Sequence, residues 1–179
     1  MRLFIAIDIP EALKKHIVTL QKKLIISEDI GKLTLAQEPH ITLKFLGDVT
    51  EKGLAILKRD LPNVKLKAFT AKIAGNGAFP NEQYMRVAWL PVEPIKPFTI
   101  VQQQVENATG FLRLKREDQF VPHITLARIK FVKDREALLK LVKSLYATAE
   151  WKVTSFKLIK SELTPEGAQY TVLEEYKAQ

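Results

Sequence analysis

The pentapeptide Pro-His-Ile-Thr-Leu stands at residues 39–43 and again at residues 122–126, and the two copies hold two of the chain's three histidines, His40 and His123. A repeated motif constrains the fold tightly, because whatever surrounds one copy should surround the other. The flanks do repeat. After His40, Leu54, Leu57 and Leu61 lie at helical spacing, and after His123 so do Leu138, Leu141 and Leu145. Thr50 and Asp134 are placed to cap these helices. Residues 65–69 and 152–156 share a polar/apolar alternation that predicts a strand in each half. Pro80 to Tyr84 finds an echo in Pro165 to Tyr170, each ahead of a strand-like segment.

The stretches before the motifs also correspond. Residues 3–8 predict a strand, followed by a helix with Pro10 in its first turn and Leu13, Ile17, Leu20 and Leu24 on one face. Residues 84–90 predict a strand, and a helix around 99–108 follows the joint at Pro91, Pro94 and Pro97. The unit is strand, helix, histidine strand, helix, strand, repeated once. That order predicts an α+β fold with antiparallel sheets, a pseudo-twofold duplication in two lobes. At 179 residues the chain reads as one domain of two related halves, residues 1–80 and 81–179, in which terminal strands can be exchanged between lobes.

Alternation puts residues i and i+2 of a strand on one face, roughly 7 Å apart. His40, Thr42 and Lys44 therefore share a face, with Ile41, Leu43 and Phe45 turned to a core. His123 and Thr125 share the equivalent face, backed by Ile124 and Leu126. A single copy would read as a histidine satisfied by a backbone carbonyl; two copies related by a twofold read as two polar faces across one cleft. A histidine pair near pKa 6.5 can hold one neutral imidazole and one imidazolium together. The neutral ring takes a proton from an attacking water or hydroxyl, and the charged ring protonates a departing alkoxide. Threonine hydroxyls can donate to the non-bridging oxygens of a phosphate held in line. This scheme needs no metal, and each copy lacks a second ligand at zinc spacing. No serine or cysteine stands in a recognisable triad setting. His16, beside the apolar stripe of the first helix, has no role in it.

The remaining composition narrows the partner and the compartment. Twenty-eight Lys and Arg against 20 Asp and Glu give a net charge of +8, which favours an anionic partner such as nucleic acid. There is no cysteine, so disulfides, thiolate ligands and thiol nucleophiles are excluded. The apolar run 3–7 is too short for a signal core or a membrane span, which points to a cytoplasmic protein, and nothing demands more than a monomer.

The paired His-x-Thr motifs, the opening residues 1–10, Lys44-Phe-Leu-Gly47, Leu126-Ala-Arg128 and residues 161–170 together resemble the 2H phosphoesterases. The branch most similar is that of the 2′-5′ RNA ligases, or RNA 2′,3′-cyclic phosphodiesterases. The resemblance covers nearly the whole chain. It implies a bilobal fold with two antiparallel sheets lining a central cleft and helices on the outside. It further implies opening of a 2′,3′-cyclic phosphate at an RNA 3′ end to a 2′-phosphate, with 2′-5′ ligation as a companion reaction and no cofactor. Carried onto these positions, His40 is the proton donor to the leaving 3′ oxygen and His123 the proton acceptor that activates water. Thr42 and Thr125 bind the phosphoryl oxygens, and Arg128 matches an arginine of the second motif suited to clamp phosphate. Strict alternation places Arg128 on the wrong face unless the strand twists or bulges. Lys44 and the basic cluster Arg113, Lys115 and Arg116 are further candidates for contacting RNA, tRNA fragments included. Phe79, Tyr84 and Phe120 are candidates for stacking a base but read more readily as core. Nucleotides are a second class of ligand for the cleft. The rival readings are an end-binding module without turnover and an enzyme acting on small cyclic nucleotides.

Overall fold

A computed structural model describes residues 1–25, 29–116, 119–165 and 167–179. Glu166, within the last stretch that carries the resemblance, lies outside them. The elements run β1 (Arg2–Ile7), α1 (Glu11–Gln21), β2 (Gly31–Leu35), β3 (Ile41–Asp48), α2 (Glu51–Asp60), β4 (Phe69–Ile73) and β5 (Gly77–Phe79) in the first half. They continue as β6 (Val87–Glu93), α3 (Ile95–Ala108), β7 (His123–Val132), α4 (Arg135–Ser144), β8 (Glu150–Val153), β9 (Ser155–Thr164) and β10 (Gly167–Lys177).

The strands follow one antiparallel path, β10-β9-β1-β3-β7-β6-β4-β8, with β2 added on β7 and β5 on β6. The path is pinched in the middle. Strands β3 and β7 meet through the single register pair Ile41↔Ile124, so the two expected sheets join edge to edge there. Both isoleucines are fully buried, which fixes the polar neighbours on either side of each to the opposite face. Strand β9 comes from the second half but pairs with β1 of the first, and carries β10 on its other edge. Strands β4 and β5 come from the first half and pair with β6 of the second.

Helices α1 and α3 both start at a proline, Pro10 and Pro94, where the missing N–H would have no helical partner anyway. Leu13, Ile17, Leu20 and Leu24 are all buried, as their spacing predicts. Thr50 accepts a hydrogen bond from the Gly53 N–H (3.1 Å) and Asp134 one from the Ala137 N–H (2.9 Å), so both predicted caps form. Several boundaries differ from the sequence reading: β6 runs Val87–Glu93 where 84–90 was expected, and α3 begins at Ile95 rather than near Thr99, so Pro91 lies in the strand and Pro97 in the helix. Strand β4 begins only at Phe69, and the segment 152–156 is divided at Thr154. There the chain leaves its pairing with β4 and enters β9, which pairs with β1.

Candidate active site

Each His-x-Thr segment meets the other at the pinch. Extending the Ile41↔Ile124 register by one residue either way sets Thr42 opposite His123 and His40 opposite Thr125. All four side chains line one cleft of about 580 Å³, together with Arg128, Phe45, Phe79 and Tyr170. The segment 34–39 forms one wall, and the β9–β10 hairpin, through Leu163, Pro165, Gly167 and Ala168, forms another.

The two imidazoles are held alike. His40 donates from Nδ1 to the carbonyl of Glu38 (2.7 Å), and His123 donates from Nδ1 to the carbonyl of Val121 (2.7 Å). A carbonyl can only accept, so Nδ1 carries a proton in both rings and Nε2 is the nitrogen that exchanges one. His40 Nε2 lies 3.1 Å from Thr42 Oγ1. Glu38 reaches this arrangement in a left-handed conformation, φ 45°, uncommon for a residue with a side chain and frequent near functional sites. Aromatic rings brace both histidines. Phe4 and Tyr170 lie 5.0 and 5.6 Å from the His40 ring, and Phe79 and Trp89 lie 5.0 and 5.6 Å from that of His123. Gly77 makes room for the Trp89 indole, since a Cβ there would come within 2.7 Å of it.

Burial lowers the pKa of both histidines, because the charged form loses water, and their backbone hydrogen bonds oppose this in part. Their charged neighbours differ. Asp8 acts on His40 in the direction that favours the imidazolium, opposed by Lys14 and by His123 itself, whereas on His123 the charged neighbour is Arg128, which disfavours it. Burial would raise the pKa of Asp8 itself, but Lys14 and Lys157, each 2.7 Å away, outweigh that and hold its carboxyl low.

Two β-bulges decide which residues join the histidines. On β3, Ala6 pairs with Thr42 and Ile5 with Lys44, so Leu43 is an extra residue and the alternation inverts after it. Lys44 therefore turns away from the cleft, contrary to the simple alternation, and its ammonium meets Glu106 at 2.6 Å with both side chains buried. Phe45, expected in the core, is exposed on the cleft side. On β7, Trp89 pairs with Thr125 and Ala88 with Ala127, so Leu126 is the extra residue. That bulge carries Arg128 to the face of His123 and Thr125.

Of the other candidates, Phe79 lines the cleft, Tyr84 is exposed outside it and Phe120 packs on the core. Arg113, Lys115 and Arg116 do not line the cleft, and Arg116 donates to Asn107. Gln37 and Glu38 were not marked by any motif, and Asp8 and Phe45 stood only within stretches that carry the resemblance, with no role read for Asp8 and a core position read for Phe45. Tyr170 was visible only as part of the closing stretch that carries the resemblance. Among the described residues no group of three His, Asp or Glu side chains is arranged to hold a metal, and no helix is long and apolar enough to cross a membrane.

The model of the 2′-5′ RNA ligase superfamily matches residues 9–165. The chain belongs to that family. An RNA 2′,3′-cyclic phosphodiesterase of Methanocaldococcus jannaschii is 35% identical over 98% of this chain and 100% of its own length. A crystal structure from Thermus thermophilus superposes with a TM-score of 0.77 at 30% identity, covering 99% of this chain and 97% of that one. Escherichia coli LigT complexed with NADP+ superposes with a TM-score of 0.76 at 25% identity, covering 99% and 96%. The resemblance to the 2H phosphoesterases read from the motifs is thereby shown.

Proposed function

We propose that the protein hydrolyses 2′,3′-cyclic phosphate ends of RNA to 2′-phosphomonoesters by two-histidine acid/base catalysis without a metal. The observation that carries this reading is the matched tethering of His40 and His123 through Nδ1, which leaves two Nε2 atoms to work in one cleft. The curated relatives named RNA 2′,3′-cyclic phosphodiesterase support the same reaction.

The unlike neighbours of the two rings support a division of roles. Arg128 beside His123 favours a neutral imidazole, so His123 Nε2 takes the proton from water as its oxygen bonds to phosphorus. Asp8 near His40 favours the imidazolium, so His40 Nε2–H protonates the 3′ oxygen as its bond to phosphorus breaks. Thr42 and Thr125 donate to the non-bridging oxygens, and the Arg128 guanidinium neutralises their charge. The phosphate stays on the 2′ oxygen. If a 5′-hydroxyl enters in place of water, the same geometry forms a 2′-5′ linkage, so ligation needs no further group.

The net charge of +8 favours a polymeric RNA end, tRNA fragments included, over a free nucleotide. Nucleotides bearing a 2′-phosphate, as NADP+ does, carry the product's own group and should compete for the cleft. On this reading the protein acts as a cytoplasmic monomer.

The test is an RNA oligomer ending in a 2′,3′-cyclic phosphate, incubated in EDTA with wild type, His40→Ala and His123→Ala. Conversion to the 2′-phosphate by wild type, with each variant slower by about 10² or more, is expected. Either variant retaining the wild-type rate would remove that histidine from the mechanism. No conversion between about pH 5 and 9 with tight binding retained would instead make the protein an end-recognition module. A cyclic mononucleotide that outcompetes the oligomer would transfer the activity to small nucleotides.

A further inference from the structure

Strand β7 delivers Arg128 to the cleft only because it bulges. In unbroken alternation Arg128 would share the face of Ile124 and Leu126, both fully buried, and a guanidinium has no place there. The bulge has its own requirement. Leu126 has no partner on β6, and its carbonyl, inside the protein, must be satisfied from elsewhere.

Two donors meet it. One is the Ala36 N–H at 2.9 Å, just beyond the end of β2. The other is the side chain of Gln21, at the end of α1, whose Nε2 donates to the Leu126 carbonyl at 2.8 Å and to the Ala36 carbonyl at 2.7 Å. Gln21 is only 3% exposed, so its amide protons are spent wholly on the bulge and the segment beside it. It does not line the cleft. The other bulge has an anchor of the same kind. Lys44, next to the extra residue Leu43, is held by Glu106 of α3, and Gln102 donates to the second Glu106 oxygen at 3.0 Å. In each half the helix of the opposite half supplies the polar side chain that fixes the bulge.

We infer that Gln21 is a positioning residue for the phosphate clamp: its amide holds the β7 bulge that turns Arg128 onto the face of the histidines. This rests on the reading of Arg128 as the clamp. Gln21 acts through Arg128 and does not touch the substrate.

A double-mutant cycle separates this from a purely structural role. Gln21→Met keeps length and burial and removes both donated bonds. It is made in wild type and in Arg128→Ala, and each protein is assayed for turnover of the cyclic-phosphate oligomer and, without substrate, for binding of inorganic phosphate. In wild type, Gln21→Met should lower kcat/KM by about ten-fold or more, chiefly through KM, and weaken phosphate by a similar factor. In the Arg128→Ala background it should lower neither by more than about two-fold. The His123 ring, followed by NMR, should titrate at higher pH in Gln21→Met, moving toward its position in Arg128→Ala. Equal losses in the two backgrounds, or unchanged phosphate binding in Gln21→Met, would overturn the inference. If Gln21→Met does not fold, Gln21→Asn, which withdraws the amide by one methylene, enters the same cycle. Absence of turnover in wild type with the phosphate cycle behaving as expected would sink the proposed reaction and leave the positioning role standing.

Discussion

His40 and His123 share a motif, a tether and a cleft, yet differ in what surrounds the ring. Both are pushed below the usual histidine pKa by burial, so the state with one imidazolium and one neutral ring is most populated below about pH 6.5 in the free protein. The kcat/KM profile of a cyclic-phosphate substrate should therefore be a bell centred below that value. The kcat profile should lie higher, since bound phosphate stabilises the imidazolium. Arg128→Ala removes the positive charge that disfavours protonation of His123, so the acid limb should move up in pH as kcat/KM falls. A limb that stays in place would show that Arg128 does not act on His123. At this scale the sequence was informative where the chemistry repeats: both histidines and both threonines were legible. Asp8, Glu38 and Phe45 were not, because each reaches the site by a fold contact that no local pattern records.

All four helices were legible in kind, though α3 starts four residues earlier than expected, and the Thr50 and Asp134 caps were read correctly because capping is local chemistry. Thr50→Ala or Asp134→Ala should each lower stability by about 1 kcal/mol in chemical denaturation and leave turnover unchanged, as both sit at helix starts away from the cleft. A larger loss, or a change in kcat/KM, would mean that α2 or α4 is coupled to the site. Strands were legible in kind and misjudged in parity. Lys44 and Phe45 exchange faces at the β3 bulge, and Arg128 reaches the cleft by the β7 bulge. One extra residue inverts all that follows, and nothing in the spacing of apolar residues announces it. The short strands β2 and β5 also escaped notice. Each is only a few residues long and takes its place by pairing with the long strands β7 and β6.

Across the whole molecule the halves are tied by exchange. Hairpin β9–β10 crosses to β1, strands β4 and β5 cross to β6, and the α3 carboxylate of Glu106 reaches Lys44 on β3. With both partners buried, the loss of one leaves an uncompensated charge. Lys44→Met should destabilise the protein by about 3–5 kcal/mol, and adding Glu106→Leu should recover most of that loss. Calorimetry on the two variants checks this. An additive further loss in the double variant would mean that the pair is held for packing alone.

Phe45 and Arg128 each lie five residues beyond their histidine, on bulges of the same form, one apolar and one cationic. A cleft assembled from two identical halves would meet a phosphodiester the same way from either side and would have no grounds to break one ester bond in preference to the other. This unlike pair, with Asp8 on the side of His40, gives a nearly symmetric vessel a front and a back, and with them, on the proposed mechanism, a direction for the reaction.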